Sequence, residues 1–357
     1  MKIRIVLADT DEKYINHFVR AFKIYYFNEV DIVTFSDSTA LKKYISSRAY
    51  DILLSVASLL PKEAEEKSMI LTSEMGIKEM NGRPAICKYQ KIENLYKGIL
   101  DTIAEQKSGI TYSYETSKES PVIAFTSAAG GGVGKTTAAL VYTRQLVKKG
   151  FQVMYLSLES FSNIDYFLNA EGSSNFSNVL FAVKCGKGNL QMKIESSLKQ
   201  TYGGVYFFSK PMNPNEIDEL DQSEWKEFLD AVRAMGKFHC IVIDLPCANE
   251  DTAKKIMPLS DRVLFITDGS DTTTEKTQTL MTCISKYDEV NGADLSTKVS
   301  VIQNKCEGPR REIGLPILAE LPYIKETRME KLIMDTLVNA ENASLLSIYQ
   351  PGGQEYV

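Results

Sequence analysis

Apolar residues occur along this chain in short unbroken runs, separated by longer stretches with helical spacing. Residues 3–8 read as a buried strand, and 11–26 as a helix through Tyr14, Phe18, Phe22 and Tyr25. A strand at 30–35, a helix near 38–47, strands at 52–56, 69–72 and 85–87, and a helix at 93–103 complete a first set. Strands that are apolar throughout rather than at every second position are buried on both faces, which predicts a parallel sheet between layers of helices. Residues 105–121 are polar, poor in aliphatics and end in Pro121, the composition of a linker. The alternation then restarts, with strands at 122–125, 153–158, 205–209, 240–243, 262–267 and 299–303. Helices at 136–149, terminated by Gly150, and at 224–235, preceded by a capping box of Asp221 and Glu224, lie between them. The expected architecture is α/β with two doubly wound domains, 1–104 and 122–357, joined by the linker.

The chemistry lies at the second restart. Ser127-Ala128-Ala129-Gly130-Gly131-Gly132-Val133-Gly134-Lys135-Thr136-Thr137 follows an apolar strand and opens a helix. Glycines let backbone N–H groups close around phosphates, Lys135 reaches the β and γ oxygens, and Thr136 can ligate Mg²⁺ at the helix N-terminus. Ala129 stands where the strict loop pattern has its first glycine. A second acidic motif supports the assignment: Asp244 ends the strand His239-Cys240-Ile241-Val242-Ile243 and can hold a Mg²⁺-bound water. Glu159, after the strand at 153–158, emerges at the same sheet edge, where it can orient an attacking water or stand as a plain surface glutamate. The expected cofactors are ATP and Mg²⁺.

Composition narrows the partners. The 357 residues are 44% hydrophobic and 24% charged with a formal net charge of -5, which disfavours a nucleic-acid-coating surface. No run approaches the roughly 18 apolar residues of a membrane span, and Asp9 interrupts the N-terminus before a signal-peptide core can form. A cytoplasmic protein without direct membrane insertion is expected. Six scattered cysteines contain no C-x-x-C, and His17 and His239 fall in different domains, so no zinc or histidine-based metal site is signalled.

The segment 122–323 resembles the MinD/ParA class of deviant Walker ATPases, through residues 129–137, Leu158-Glu159 and Ile243-Asp244-Leu245-Pro246. The resemblance implies an ATP-sandwich homodimer in which a lysine near the start of the loop crosses to the partner's phosphates. Here that position is Gly130, and Glu159 stands where the family has a water-positioning aspartate. It also implies that Lys135, Glu159 and Asp244 carry the catalytic roles, and that the loop residues 130–137 bind nucleotide, with Asn304, Pro322 and Tyr323 flanking the adenine. Both departures touch groups that stabilise charge during phosphoryl transfer, so weak hydrolysis with retained binding is expected.

Residues 1–104 are similar to response-regulator receiver domains. Asp9 and Asp11 match acid positions, Thr72 or Ser73 the hydroxyl position and Lys88 the lysine, whereas Thr10 replaces an acid and no carboxylate appears from Ser55 to Pro61. Without that nucleophile no aspartyl phosphate forms, which implies a flavodoxin-like pseudo-receiver used for docking or dimerisation. A degenerate receiver before a MinD/ParA-like ATPase resembles the TadZ/CpaE family. That resemblance implies a scaffold that localises a tight-adherence pilus secretion machine, often at a cell pole, with pilus-machine proteins as partners. A partition or division ATPase, a phosphorylation-driven regulator and a tyrosine kinase are the alternatives. The chain end from Ser344 to Val357 has no lysine or arginine for a basic membrane helix, and Tyr349 and Tyr356 make a sparse tyrosine cluster.

Overall fold

A computed structural model describes residues 2–105, 120–168, 174–186, 188–201, 203–306 and 314–326, with 328, 331 and 333. The expected linker lies almost wholly outside these residues. The chain divides into two compact units, 1–113 with 185–197, and 114–184 with 198–357.

In the first unit, strands β1 (Ile3–Ala8), β2 (Val30–Phe35), β3 (Ile52–Val56), β4 (Ser68–Thr72), β5 (Glu79–Met80) and β6 (Arg83–Cys87) form one sheet in the order β2-β1-β3-β4-β6-β5. All pairings are parallel except the short β5–β6 hairpin. The unbroken apolar run of β1 has the cause expected of it. Val6 and Ala8 pack with Leu41 of helix Ser38–Ser47, while Ile3, Ile5 and Leu7 are buried on the other face. Phe18, Phe22 and Tyr96 make an aromatic file between helices Glu12–Tyr25 and Ile92–Glu105. Helix Leu190–Ser197 packs against Ile92–Glu105, with Lys193 and Ser196 both bonded to Asp101. The domain bounds expected from the sequence place residues 185–197 in the second domain, whereas their packing belongs to the first unit.

The second unit has strands β7 (Val122–Thr126), β8 (Val153–Ser157), β9 (Lys199–Gln200), β10 (Val205–Phe207), β11 (Cys240–Asp244), β12 (Arg262–Thr267), β13 (Val299–Cys306) and β14 (Ile317–Pro322). Their order is β14-β13-β12-β7-β11-β8-β10-β9, parallel but for β9. The strand expected to reach residue 209 stops at Phe207. On one face Ile123, Phe125, Val153, Tyr155, Cys240 and Val242 pack with Ala138, Ala139, Tyr142 and Leu146 of helix Lys135–Lys148. Period-2 alternation puts Ser157 and Asp244 on that same face, at the carboxyl ends of their strands. The glycine loop follows β7 at this edge, the place where open α/β sheets bind ligands.

Candidate functional site

The loop between β7 and helix Lys135–Lys148 is held by its own polar groups. Ser127 Oγ donates to Ala129 O (2.6 Å) and accepts from Ala129 N (2.9 Å), a closure that alanine permits as well as glycine. Gly132 and Gly134 both have φ of +94°, the left-handed region where a Cβ is strained. Gly134 is needed twice over, since a Cβ there would collide with the Asn304 side chain. Asn304, at β13, is buried and donates from Nδ2 to Val133 O at 2.8 Å, so it braces the loop. Its neighbour Lys305, with φ of +55°, donates from Nζ to Gly132 O. Gly130, Gly131 and Gly132 are exposed, and nothing lies within 4 Å of a Cβ built at any of them.

Lys135 is buried and its Nζ lies 3.1 Å from Glu159 Oε1. The sequence motifs therefore meet in space, with Glu159 two residues beyond the end of β8. Asp244 is 1% exposed; Tyr155 Oη donates to its Oδ2 at 3.0 Å, and the Thr136 hydroxyl bonds the same carboxylate. Burial pushes the Asp244 carboxyl up to about 7, helped by the charge of Glu159 and opposed by Thr136, Tyr155 and Lys135. Burial and the adjacent Asp244 likewise raise the Tyr155 phenol well above its ordinary value.

Asp244 Oδ1 is buried with no hydrogen-bond partner among the described residues. An unpaired oxygen on a buried carboxylate is costly, and a hydrated Mg²⁺ beside Thr136 would satisfy it. With the lysine and the positive-φ glycines, this donor set fits ATP·Mg²⁺: Thr136 and Asp244 on the metal side, 130–137 around the phosphates. A cavity of about 210 Å³ opens beside Thr136, Tyr155, Ser157, Glu159 and Asp244. Pro322 ends β14 next to β13, and Tyr323 is exposed; among the described residues no hydrogen bond or ion pair ties either to the loop. Sequence motifs do not single out Tyr155 or Lys305. A tyrosine inside an otherwise apolar strand, two residues before the sheet edge, is the available signal for the first.

The first unit contains the receiver-type acids in a spent state. Asp9 is buried; its Oδ2 pairs with Lys88 Nζ at 2.9 Å and its Oδ1 accepts from Asp11 N at 2.9 Å. Asp11 caps helix Glu12–Tyr25 through Lys13 N and Tyr14 N. Burial lowers the Lys88 pKa, but the Asp9 contact outweighs it and the net shift is upward, so the ammonium stays charged. Ser55 is fully buried and donates to Val56 O. Among the described residues no three potential ligands cluster for a metal, and five cysteines are free thiols.

Residues 1–104 match the family model of the TadZ-like receiver domain, and residues 120–297 that of an AAA domain. Similar solved structures include a ParA-family ATPase from Chlorobium tepidum, at 14% identity over 61% of this chain and 98% of the other, with a TM-score of 0.49. The MinC:MinD cell-division complex of Aquifex aeolicus is 17% identical over 63% and 97%, TM-score 0.49. MinD with Mg-ADP from Pyrococcus horikoshii is 17% identical over 64% and 97%, TM-score 0.47. No curated protein matches the sequence. The chain thus joins a TadZ-like receiver domain at residues 1–104 to an AAA domain at residues 120–297.

Proposed function

We propose that this protein binds ATP·Mg²⁺ at the loop 130–137, dimerises through the bound nucleotide and hydrolyses it slowly, serving as a positional scaffold for a tight-adherence pilus secretion machine. The observation that carries the nucleotide reading is the pairing of an intact binding set, Lys135, Thr136 and Asp244, with a buried Asp244 oxygen that lacks a partner. Bound Mg²⁺ would supply charge neutralisation between the phosphates. This chain's own residues do the rest: Lys135 exchanges Glu159 for phosphate, Gly132 and Gly134 admit the backbone approach, and Asn304 keeps Val133 in place. Slow hydrolysis follows from Gly130, which offers no side-chain charge to a neighbouring subunit's phosphates.

The scaffold role rests on the joining of the two domains and on the receiver pocket, whose acids are already bonded to Lys88 and to backbone. A phosphorylation-driven reading is weakened by the same contacts. Calorimetric titration of ATP with Mg²⁺ tests the site: the wild type should bind, and Lys135→Ala should lose at least about tenfold in affinity. Equal binding by both proteins would exclude this loop. For the cellular role, a fluorescent fusion should gather at a pole in cells making the pilus, and uniform label would count against it.

A further inference from the structure

Tyr155 has no part in the loop or in the metal ligation, yet its hydroxyl bonds Asp244, which would hold the metal. It sits on β8 opposite Val242, two positions before Ser157, which is opposite Asp244. Its side chain thus points to the same sheet face as Asp244 and reaches along the diagonal to it, with Oη 3.0 Å from Oδ2. Both groups are buried. The torsion that turns a carboxylate about its last bond is soft and nearly two-fold. Fixing Oδ2 with the Tyr155 hydroxyl removes that freedom and leaves Oδ1 as the unpartnered oxygen.

We infer that Tyr155 is a positioning residue: its hydroxyl orients the Asp244 carboxylate so that Oδ1 is presented to the hydrated Mg²⁺ of a bound nucleotide. The inference rests on the nucleotide reading but makes a separate claim, since it assigns the metal dependence of binding to a phenol outside the loop. Outer partners of this kind usually contribute 10- to 100-fold to metal affinity. Nucleotide held by Lys135 and the loop backbone alone should not need it.

The test is ADP binding, followed by calorimetry in EDTA and across a series of Mg²⁺ concentrations, for the wild type and Tyr155→Phe. The expected result is at least an approximately tenfold higher Mg²⁺ concentration at half-effect in the variant, with ADP affinity in EDTA unchanged. An unchanged Mg²⁺ half-point overturns the inference, as does an equal loss with and without Mg²⁺, which marks the phenol as packing alone. A wild type whose ADP binding ignores Mg²⁺ overturns the site reading and the inference with it. Should Tyr155→Phe fail to fold, 3-fluorotyrosine encoded at position 155 keeps the hydroxyl and provides a single ¹⁹F signal. That signal should move when Mg²⁺ joins the ADP complex and stay still when ADP is added in EDTA; indifference to Mg²⁺ overturns the proposal.

Discussion

On the proposed reading, Lys135 turns from Glu159, 3.1 Å away, to a phosphate entering the loop, so this residue pair sets the starting state of the site. Gly130 bears on the chemistry after binding. A Cβ built there meets nothing within 4 Å and the residue is exposed, so a side chain can start from this position without a backbone clash. Gly130→Lys should therefore raise phosphate release from ATP by about tenfold or more, one charge-stabilising donor being commonly worth 10²- to 10³-fold; an unchanged rate would mean that this position does not limit hydrolysis. Asp244 gives a second prediction, for the protein without nucleotide. The native carboxyl keeps its proton to about pH 7, whereas an unfolded aspartate releases it near pH 4. Between those values the native state binds more protons, so stability falls as the pH rises, and Asp244→Asn should lack this slope. Trp225 is the single tryptophan and is buried in the same unit, so its fluorescence during urea unfolding follows the transition. Parallel pH profiles of the two proteins would contradict the assignment.

At the scale of elements, most of the frame is readable from the sequence because burial on both faces leaves an unmistakable run of apolar residues. The strands β1, β2, β3 and β12 occupy the expected spans, and Asp221 and Glu224 form the capping box, bonded through Glu224 N and Asp221 N at 2.9 and 2.8 Å. Short or weakly patterned elements are not legible. β5 has only two residues, although Asn81 and Gly82, with φ of +54° and +74°, are the turn pair typical of a tight hairpin. Helix Leu190–Ser197 escapes a sequence reading because it packs against a helix of the first unit, through Lys193 and Ser196 to Asp101, rather than against a sheet near it in sequence. In the site, the loop, Lys135, Glu159 and Asp244 are legible as motifs. Tyr155 and Lys305 are not, because their roles arise from strand register and backbone geometry. Gly134 is where element and site coincide. Gly134→Ala should lower the melting temperature of the second unit, the left-handed backbone alone costing about 1–2 kcal/mol, and should abolish ATP binding by driving Asn304 off Val133. Normal binding by that variant would show that the brace is dispensable.

On the proposed reading, the molecule joins a signalling-type and a nucleotide-type framework, each without a group that turnover would use. In the first, both Asp9 oxygens are already occupied and Ser55 stands in a stretch without carboxylates. Acetyl phosphate should leave the intact mass unchanged, and a stable phospho-adduct would revive a phosphorylation role. In the second, Lys135, Thr136 and Asp244 come together around Glu159, and the proposed slow hydrolysis rests on Gly130, which carries no side-chain charge. Among the described residues no helix is long and apolar enough to cross a membrane. If bound ATP holds two copies together and is consumed slowly, the dimer should outlast a chromatographic run. Light scattering of the wild-type protein after chromatography, without nucleotide and after an hour in ATP·Mg²⁺, is the decisive measurement. One 40.0 kDa chain is expected without nucleotide, and a persistent species of twice that mass with it; a monomer under both conditions would contradict the nucleotide-held dimer.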